Sequence, residues 1–316
     1  MNKKNVVFLF PGQGAQFTGM AHDLLSSDAV KKLFDTASEI FGRDAKELLS
    51  SDADTLKRTD VSQPAITLAN LAAAAFLGEQ GFAPAACAGF SLGEYAALAA
   101  SGILDAADCL RLVKARGEAM QKTADRLREA SGDAAPGMAA IVGLAPDQVE
   151  ELIAKWNSEG LKDLYAANFN SPKQVAVSGT AAALAEAETR FKEAGAKRVI
   201  RLQVAGPFHS PLMAEAAQSF APVLEAAAFK NPAVPVYSNV TGKLISSGEE
   251  AKKLALLQIT NPVRWTAEEA AIAQTGADAC LEAGPGKVLQ GLWKDSGSEI
   301  PIYGAGTMED IAKIGL

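Results

Sequence analysis

The stretch AGFSLGEYAALAASGIL, Ala88–Leu104, decides how the chain is read. Ala85–Phe90 is short and apolar, as a buried strand is, and Leu92–Ser101 follows at once with a helical pattern. They meet at Gly89-Phe90-Ser91-Leu92-Gly93, a Gly-x-Ser-x-Gly pattern in the strand-to-helix context that a nucleophile elbow requires. In so tight a turn, side chains two before and two after the serine would collide, and Gly89 and Gly93 remove the collisions. The start of the helix also aims backbone N–H groups at the place where an oxyanion would form. Ser91 is therefore a candidate nucleophile. The plainer reading is a chance serine between two of the chain's 27 glycines.

Working outward, Val6–Phe10 is an apolar run ended by Pro-Gly-Gln-Gly, consistent with a buried strand and a tight loop. Helical patterns cover Asp28–Gly42, Gln63–Gly81 and Ala106–Leu127. This alternation of strands and helices is the grammar of an α/β fold with a largely parallel sheet. The small and polar residues of Arg128–Gly137 then break the pattern. Met138–Val204 reads β-α-β-β-α-β, the ferredoxin-like order, with Thr180 as a helix N-cap and Gly195 as a stop. The expected organisation is a large subdomain over residues 1–134 and 206–316, with residues 135–205 inserted into it. After Gly206 the text predicts a helix over His209–Phe229, a strand and turn over Val234–Gly242, and a helix over Thr266–Gly276. A strand then enters the Ala283–Leu289 turn, followed by a helix to Gly297 and a last strand near Ile302.

Composition narrows the function. The chain has 316 residues, 48% hydrophobic and 21% charged, a globular balance with enough interior for a core. A net charge of −7 argues against general nucleic-acid binding. Cys87, Cys109 and Cys280 are too scattered for a disulfide framework or a zinc site, so a cytoplasmic setting is expected. Lys3 and Lys4 precede an apolar run too short for a signal peptide, and no run is expected to span a membrane.

A serine nucleophile needs a base. The chain has two histidines. His22 sits beside Asp23 on an expected helix and reads as a surface residue. His209 follows the strand ending near Val204 and a Gly-Pro break, where open α/β sheets carry function, and is the favoured base. No acidic residue stands out as its orienter, which hints at a backbone carbonyl. Arg116 lies on an apolar stretch of helix, where it is expected to be half-buried and to want a carboxylate partner. Phe-Pro-Gly-Gln-Gly-Ala-Gln lacks the glycine spacing and the Lys-Ser/Thr pair of a phosphate loop, although its glycines let the backbone come close to something. The Ala283–Leu289 turn lacks that spacing too and reads as a helix cap or a simple turn.

FPGQGAQ, SQPAI, GFSLGEYAAL, KARGEAMQ, NSPKQVAVSG, GPFHSPLM, NPVRWT and EAGPGKVLQGL occur in the order typical of malonyl-CoA:acyl-carrier-protein transacylases, and the chain resembles that family from Val6 to the final GTMEDI. The resemblance implies an α/β-hydrolase-like core with an inserted ferredoxin-like subdomain. It implies ping-pong transfer of malonyl from CoA to the phosphopantetheine thiol of acyl carrier protein in bacterial fatty-acid synthesis, with no metal or organic cofactor. By the same resemblance Ser91 would be the nucleophile and His209 the base. The main-chain carbonyl of Gln258 would hold His209, and the N–H groups of Leu92 and Gln13 would form the oxyanion hole. Arg116 would grip the malonyl carboxylate, and Phe208 would leave little room for an α-methyl group. Many members carry histidine before the nucleophile where this chain has Phe90.

The competing readings are a serine thioesterase or hydrolase, a polyketide-type acyltransferase with the same Ser-His site, and a non-catalytic binding module. Partners are expected to be a CoA thioester and acyl carrier protein, with no nucleic acid and no membrane, and the chain is expected to act as a monomer. Docking of an acidic carrier would need a local basic rim, for which Lys197, Arg198 and Arg201 are candidates. Activity is expected to fall with protonation of His209 somewhere between about pH 5 and 8.

Overall fold

The computed structural model describes residues 4–131 and 134–315. In chain order the large unit runs β1 (Val6–Phe10), α1 (Asp28–Phe41), α2 (Ala45–Leu49), α3 (Thr59–Glu79), β2 (Pro84–Gly89), α4 (Gly93–Ala100) and α5 (Ala106–Ser131). The second unit follows as β3 (Gly137–Val142), α6 (Pro146–Ser158), β4 (Leu164–Ser171), β5 (Gln174–Gly179), α7 (Ala181–Glu193) and β6 (Arg198–Arg201). The chain then returns through α8 (Ala214–Ala226), α9 (Gly248–Leu257), α10 (Trp265–Ala273), β7 (Ala279–Glu282), α11 (Val288–Ser296), β8 (Ile302–Gly304) and α12 (Met308–Ala312).

The first sheet has the order β2-β1-β7-β8, every pair parallel. All five residues of β1 are buried, as a strand covered on both faces demands. β1 and β2 are neighbours, with Phe10 opposite Gly89, so the loops leaving their C-terminal ends emerge side by side. One carries Pro11-Gly12-Gln13 and the other carries Ser91, which is where an open parallel sheet places its chemistry.

The second sheet is antiparallel, β4-β5-β3-β6, the ferredoxin-like order. Its residues alternate between faces. Ala139, Ile141, Val175 and Val177 pack with α6 and α7, whereas Met138, Ala167 and Ala176 join the core of the large unit. β4 is stitched to the large unit by main-chain bonds, Phe169 N–H to the Val263 carbonyl at 2.9 Å and Val263 N–H to Ala167 at 2.8 Å. The α/β class with its inserted ferredoxin-like unit is thus as the sequence reads.

Several local expectations need correction. α3 begins at Thr59, earlier than Gln63, and carries Pro64 inside it. It is also long and apolar enough to cross a membrane by composition, with 21 residues and a mean hydropathy of 1.3. Yet 78% of that window is buried inside the protein, so α3 is a core helix. α5 continues through Arg128–Ser131, where a break is expected. The strand expected over Val234–Gly242 is reduced to isolated bridges, Val236 to Cys87 and Tyr237 to Leu244. The helix expected from His209 begins only at Ala214, after a 3-10 turn over Pro211–Met213. His22 precedes a short 3-10 turn rather than lying on a helix, and its Nε2 faces the Lys46 carbonyl at 3.2 Å.

Candidate active site

The elbow is built by close backbone approach. A Cβ on Gly89 would lie 2.1 Å from the carbonyl carbon of Gly93, and one on Gly93 would lie 2.0 Å from the Phe10 oxygen. A Cβ on Gly12 would lie 2.3 Å from the Phe90 oxygen, so the Gln13 loop packs directly on the residue before the serine. Ser91 itself is forced to φ 51°, a left-handed value that costs a non-glycine residue free energy and marks a constrained site. His209 is held at φ 56° in the same region. Its loop is pinned from both sides: Ser178 Oγ donates to the Phe208 carbonyl, and Ser210 Oγ donates to the Pro207 carbonyl.

The two strained residues face each other. Ser91 Oγ and His209 Nε2 are 2.7 Å apart, and His209 Nδ1 is 2.9 Å from the Gln258 carbonyl. A carbonyl can only accept, so Nδ1 carries the proton and Nε2 is free to accept from the serine hydroxyl. Burial, aided by the nearby Arg116 charge, pulls the His209 pKa down to about 4. The imidazole is therefore neutral, the form a base needs, over the whole range in which titration is expected from sequence. Among the described residues, the main-chain N–H groups of Leu92 and Gln13 donate no hydrogen bond within the protein. They are available to a ligand.

A cavity of about 200 Å³ opens over the pair, lined by Ser91, His209, Gln13, Arg116, Phe208 and Phe90 among others. His22 is not among its lining residues. Arg116 is 1% exposed, not half-buried, and no carboxylate pairs with it among the described residues. Its Nη2 donates to Gln258 Oε1 at 2.8 Å, the guanidinium lies 5.4 Å from the Tyr95 ring centroid, and its Nε is buried with no partner. Burial lowers its pKa, but guanidinium starts so high that it stays charged. Glu94 acts on this cation electrostatically without bonding it directly, so a buried N–H is left idle and costs stability unless a ligand meets it. Two more lining residues, Gln63 and Asn170, also carry buried side-chain oxygens without partners. Phe90 packs edge-on against Trp265, with centroids 5.6 Å apart.

Sequence reasoning missed several residues here. The Gln258 side chain, Glu94 and Asn239 form a buried network beneath the pair. Glu94 could have been noticed as a lone charge in the apolar run LGEYAALAA. Asn168 and Asn170, two apart on β4 and so on one face, bring the second unit to the cavity wall. The Ala283–Leu289 turn is a cap: the Glu282 carboxylate accepts from Leu289 N–H at 2.8 Å and Gln290 N–H at 3.1 Å at the start of α11.

The chain and its fold have close counterparts. The model of the acyl transferase domain family matches residues 7–315. The malonyl CoA-acyl carrier protein transacylase of Escherichia coli K12 is 40% identical over 292 residues, 91% of each chain. That of Bacillus subtilis is 39% identical over 291 residues, 92% of this chain and 89% of its own. Among solved structures, the malonyl-CoA:ACP transacylase of Synechocystis superposes with a TM-score of 0.87 at 34% identity, covering 98% of this chain and 100% of its own. A malonyl-transacylase solved with its type II polyketide-synthase acyl-carrier protein superposes with a TM-score of 0.88 at 35% identity, covering 98% of each chain. Matched by the family over residues 7–315 and by these relatives over nine-tenths of its length, the chain belongs to the acyl transferase family, among the malonyl-CoA:acyl-carrier-protein transacylases.

Proposed function

We propose that the chain moves malonyl from malonyl-CoA to the phosphopantetheine thiol of acyl carrier protein through a malonyl-Ser91 ester. The observation that carries this reading is Arg116: a fully buried guanidinium, with an Nε that has no partner, on a residue lining the same cavity as the Ser91–His209 pair. An acyl group with a free carboxylate supplies a directly bonded anion while its thioester lies over the serine. Phe208, at the cavity wall, would limit bulk at the α-carbon.

In the first half, His209 Nε2 takes the hydroxyl proton as Ser91 Oγ attacks the thioester carbonyl. The N–H groups of Leu92 and Gln13 receive the oxyanion. The C–S bond breaks and the CoA sulfur leaves with the proton from His209. In the second half the carrier thiol gives its proton to His209, its sulfur attacks the ester, and Ser91 leaves reprotonated. Side chains and backbone of a single chain complete the cycle, so a monomer that uses no cofactor suffices. The carrier would approach over Lys197, Arg198 and Arg201, exposed at the β6 edge of the second sheet. β6 leads directly into Leu202, Gln203 and Val204 of the cavity wall. A reducing cytoplasm and a role in fatty-acid synthesis complete this reading; the three cysteines are buried and free.

Hydrolysis and transfer share the acyl-enzyme, so the test separates its fates. With labelled malonyl-CoA, label is expected on the protein alone and to move to acyl carrier protein when that is added. Rapid release of free malonate without a carrier requirement would assign the site to a hydrolase instead.

The pH dependence takes its window from the lowered His209 pKa. Only the neutral imidazole accepts the serine proton, so kcat/KM is expected to stay level across neutral and mildly acidic pH and to fall only toward about pH 4. A midpoint near the ordinary histidine value, about 6.5, would mean that the base is solvated during turnover.

A further inference from the structure

The network beneath the pair has a charged member with no part in the chemistry above, Glu94. Glu94 opens α4, three residues after the nucleophile, and is 2% exposed. A carboxylate there needs a task to offset its burial. Oε1 accepts from the main-chain N–H of Asn239 at 3.2 Å, and Oε2 accepts from the Gln258 side-chain amide. The Gln258 Nε2 also donates to the Ser91 carbonyl at 3.0 Å and faces Asn239 Oδ1 at 3.2 Å. On its other side, Gln258 Oε1 accepts from Arg116 at 2.8 Å.

These contacts fix the amide. Three acceptors surround its NH2 and a donor faces its oxygen, so only one orientation satisfies all of them. Asn239 cannot move to suit another arrangement, because its Nδ2 is committed to the Gly89 carbonyl at 2.7 Å and to Glu268 at 2.8 Å. Burial raises the Glu94 pKa to about 7, against the pull of the Gln258 amide, the Asn239 N–H and the Arg116 charge, and as a carboxylate Glu94 is the strongest acceptor of the set. With the amide oxygen locked toward Arg116, one Nη is anchored and the Nε edge of the guanidinium is left over for a ligand.

From this geometry, and resting on the malonyl reading above, we propose that Glu94 is a positioning residue for acyl-group selection. It holds the Gln258 amide so that Arg116 presents its free edge to the acyl carboxylate. The same glutamine holds His209 through its main-chain carbonyl, which an amide turn leaves alone. Selection and proton transfer can therefore be separated by experiment.

Glu94→Gln is the discriminating variant. The Asn239 N–H is main chain and must meet the new oxygen, so the new NH2 meets the Gln258 NH2. Two donors then face each other, and the contact is relieved only by turning the Gln258 amide, which points its NH2 at Arg116. The variant is expected to lose at least about tenfold in kcat/KM for malonyl-CoA, mainly through KM, while acetyl-CoA changes less than about twofold. Placed in an Arg116→Ala background, Glu94→Gln is expected to change malonyl-CoA use by less than about twofold, since it acts through that arginine. Glu94→Met, of similar length and adding no donor, covers the case in which the glutamine variant does not fold. It is expected to lower malonyl-over-acetyl discrimination by at least about threefold. Equal losses for both substrates, unchanged discrimination, or losses that add to that of Arg116→Ala would each overturn the proposal. The wild-type preference for malonyl-CoA reads the underlying function separately: without it, the function proposal fails before Glu94 is reached.

Discussion

Ser91→Ala is expected to abolish the malonyl-enzyme and to lower transfer by a factor on the order of 10⁴ or more. The size follows from what the hydroxyl does. Ser91 Oγ is the atom that bonds the acyl group, and it sits 2.7 Å from His209 Nε2 in a geometry both residues adopt only at left-handed φ. Alanine keeps the elbow, since the backbone contacts at Gly89 and Gly93 do not involve the side chain at 91. It also relieves no charge and opens no large cavity, so stability is expected to change by less than about 1 kcal/mol. Intact-protein mass spectrometry after exposure to malonyl-CoA reads the adduct, and thermal melting reads the fold. A variant that still carries malonyl at another residue would move the nucleophile elsewhere. A variant with no adduct but near-normal transfer would show that the carrier thiol attacks malonyl-CoA directly, with the protein acting only as a template.

The pairing of Ser91 with His209 is legible in the sequence for largely local reasons. Gly89 is dictated by its approach to Gly93 and Glu94 within the turn, the Gly-x-Ser-x-Gly spacing marks Gly93 even though its close approach is to Phe10 on β1, and a chain with two histidines leaves little choice of base. The ferredoxin-like order was legible because each strand and helix carries its own period. Arg116 was visible as a residue on an apolar helix, but not its full burial or its amide partner, which lies 142 positions away. Glu94 and the Gln258 side chain are joined across 164 positions, and no local pattern marks such a pair. The pH window expected from the structure lies lower than the one expected from sequence for the same reason. The lowered His209 pKa comes from burial by distant segments and from the Arg116 charge, not from its neighbours in GPFHSPLM. Val234–Gly242 shows the converse: a strand-like composition makes only isolated bridges, and its Asn239 turns to Glu94 and Gln258.

Arg116→Ala carries the second large effect, and it falls on one substrate. In the wild-type cavity the guanidinium is desolvated already, so a malonyl carboxylate meets a cation that water does not screen. Removing one partner of such a desolvated, hydrogen-bonded charge pair costs about 2–5 kcal/mol, or roughly 30- to 5,000-fold in kcat/KM for malonyl-CoA. Acetyl-CoA has no carboxylate to strand, so its use is expected to change by less than about fivefold. Arg116→Lys is expected to fall between. An ammonium keeps the charge, but its three donors diverge from one nitrogen and lack the planar fork that reaches Gln258 Oε1 and both carboxylate oxygens. Competition between malonyl-CoA and acetyl-CoA in one reaction measures the ratio directly and cancels any loss of folded enzyme. A parallel fall for both acyl groups would mean that Arg116 serves the Gln258–His209 arrangement alone. The selective fall would instead tie the choice of acyl group to one buried N–H edge, kept idle until a carboxylate arrives.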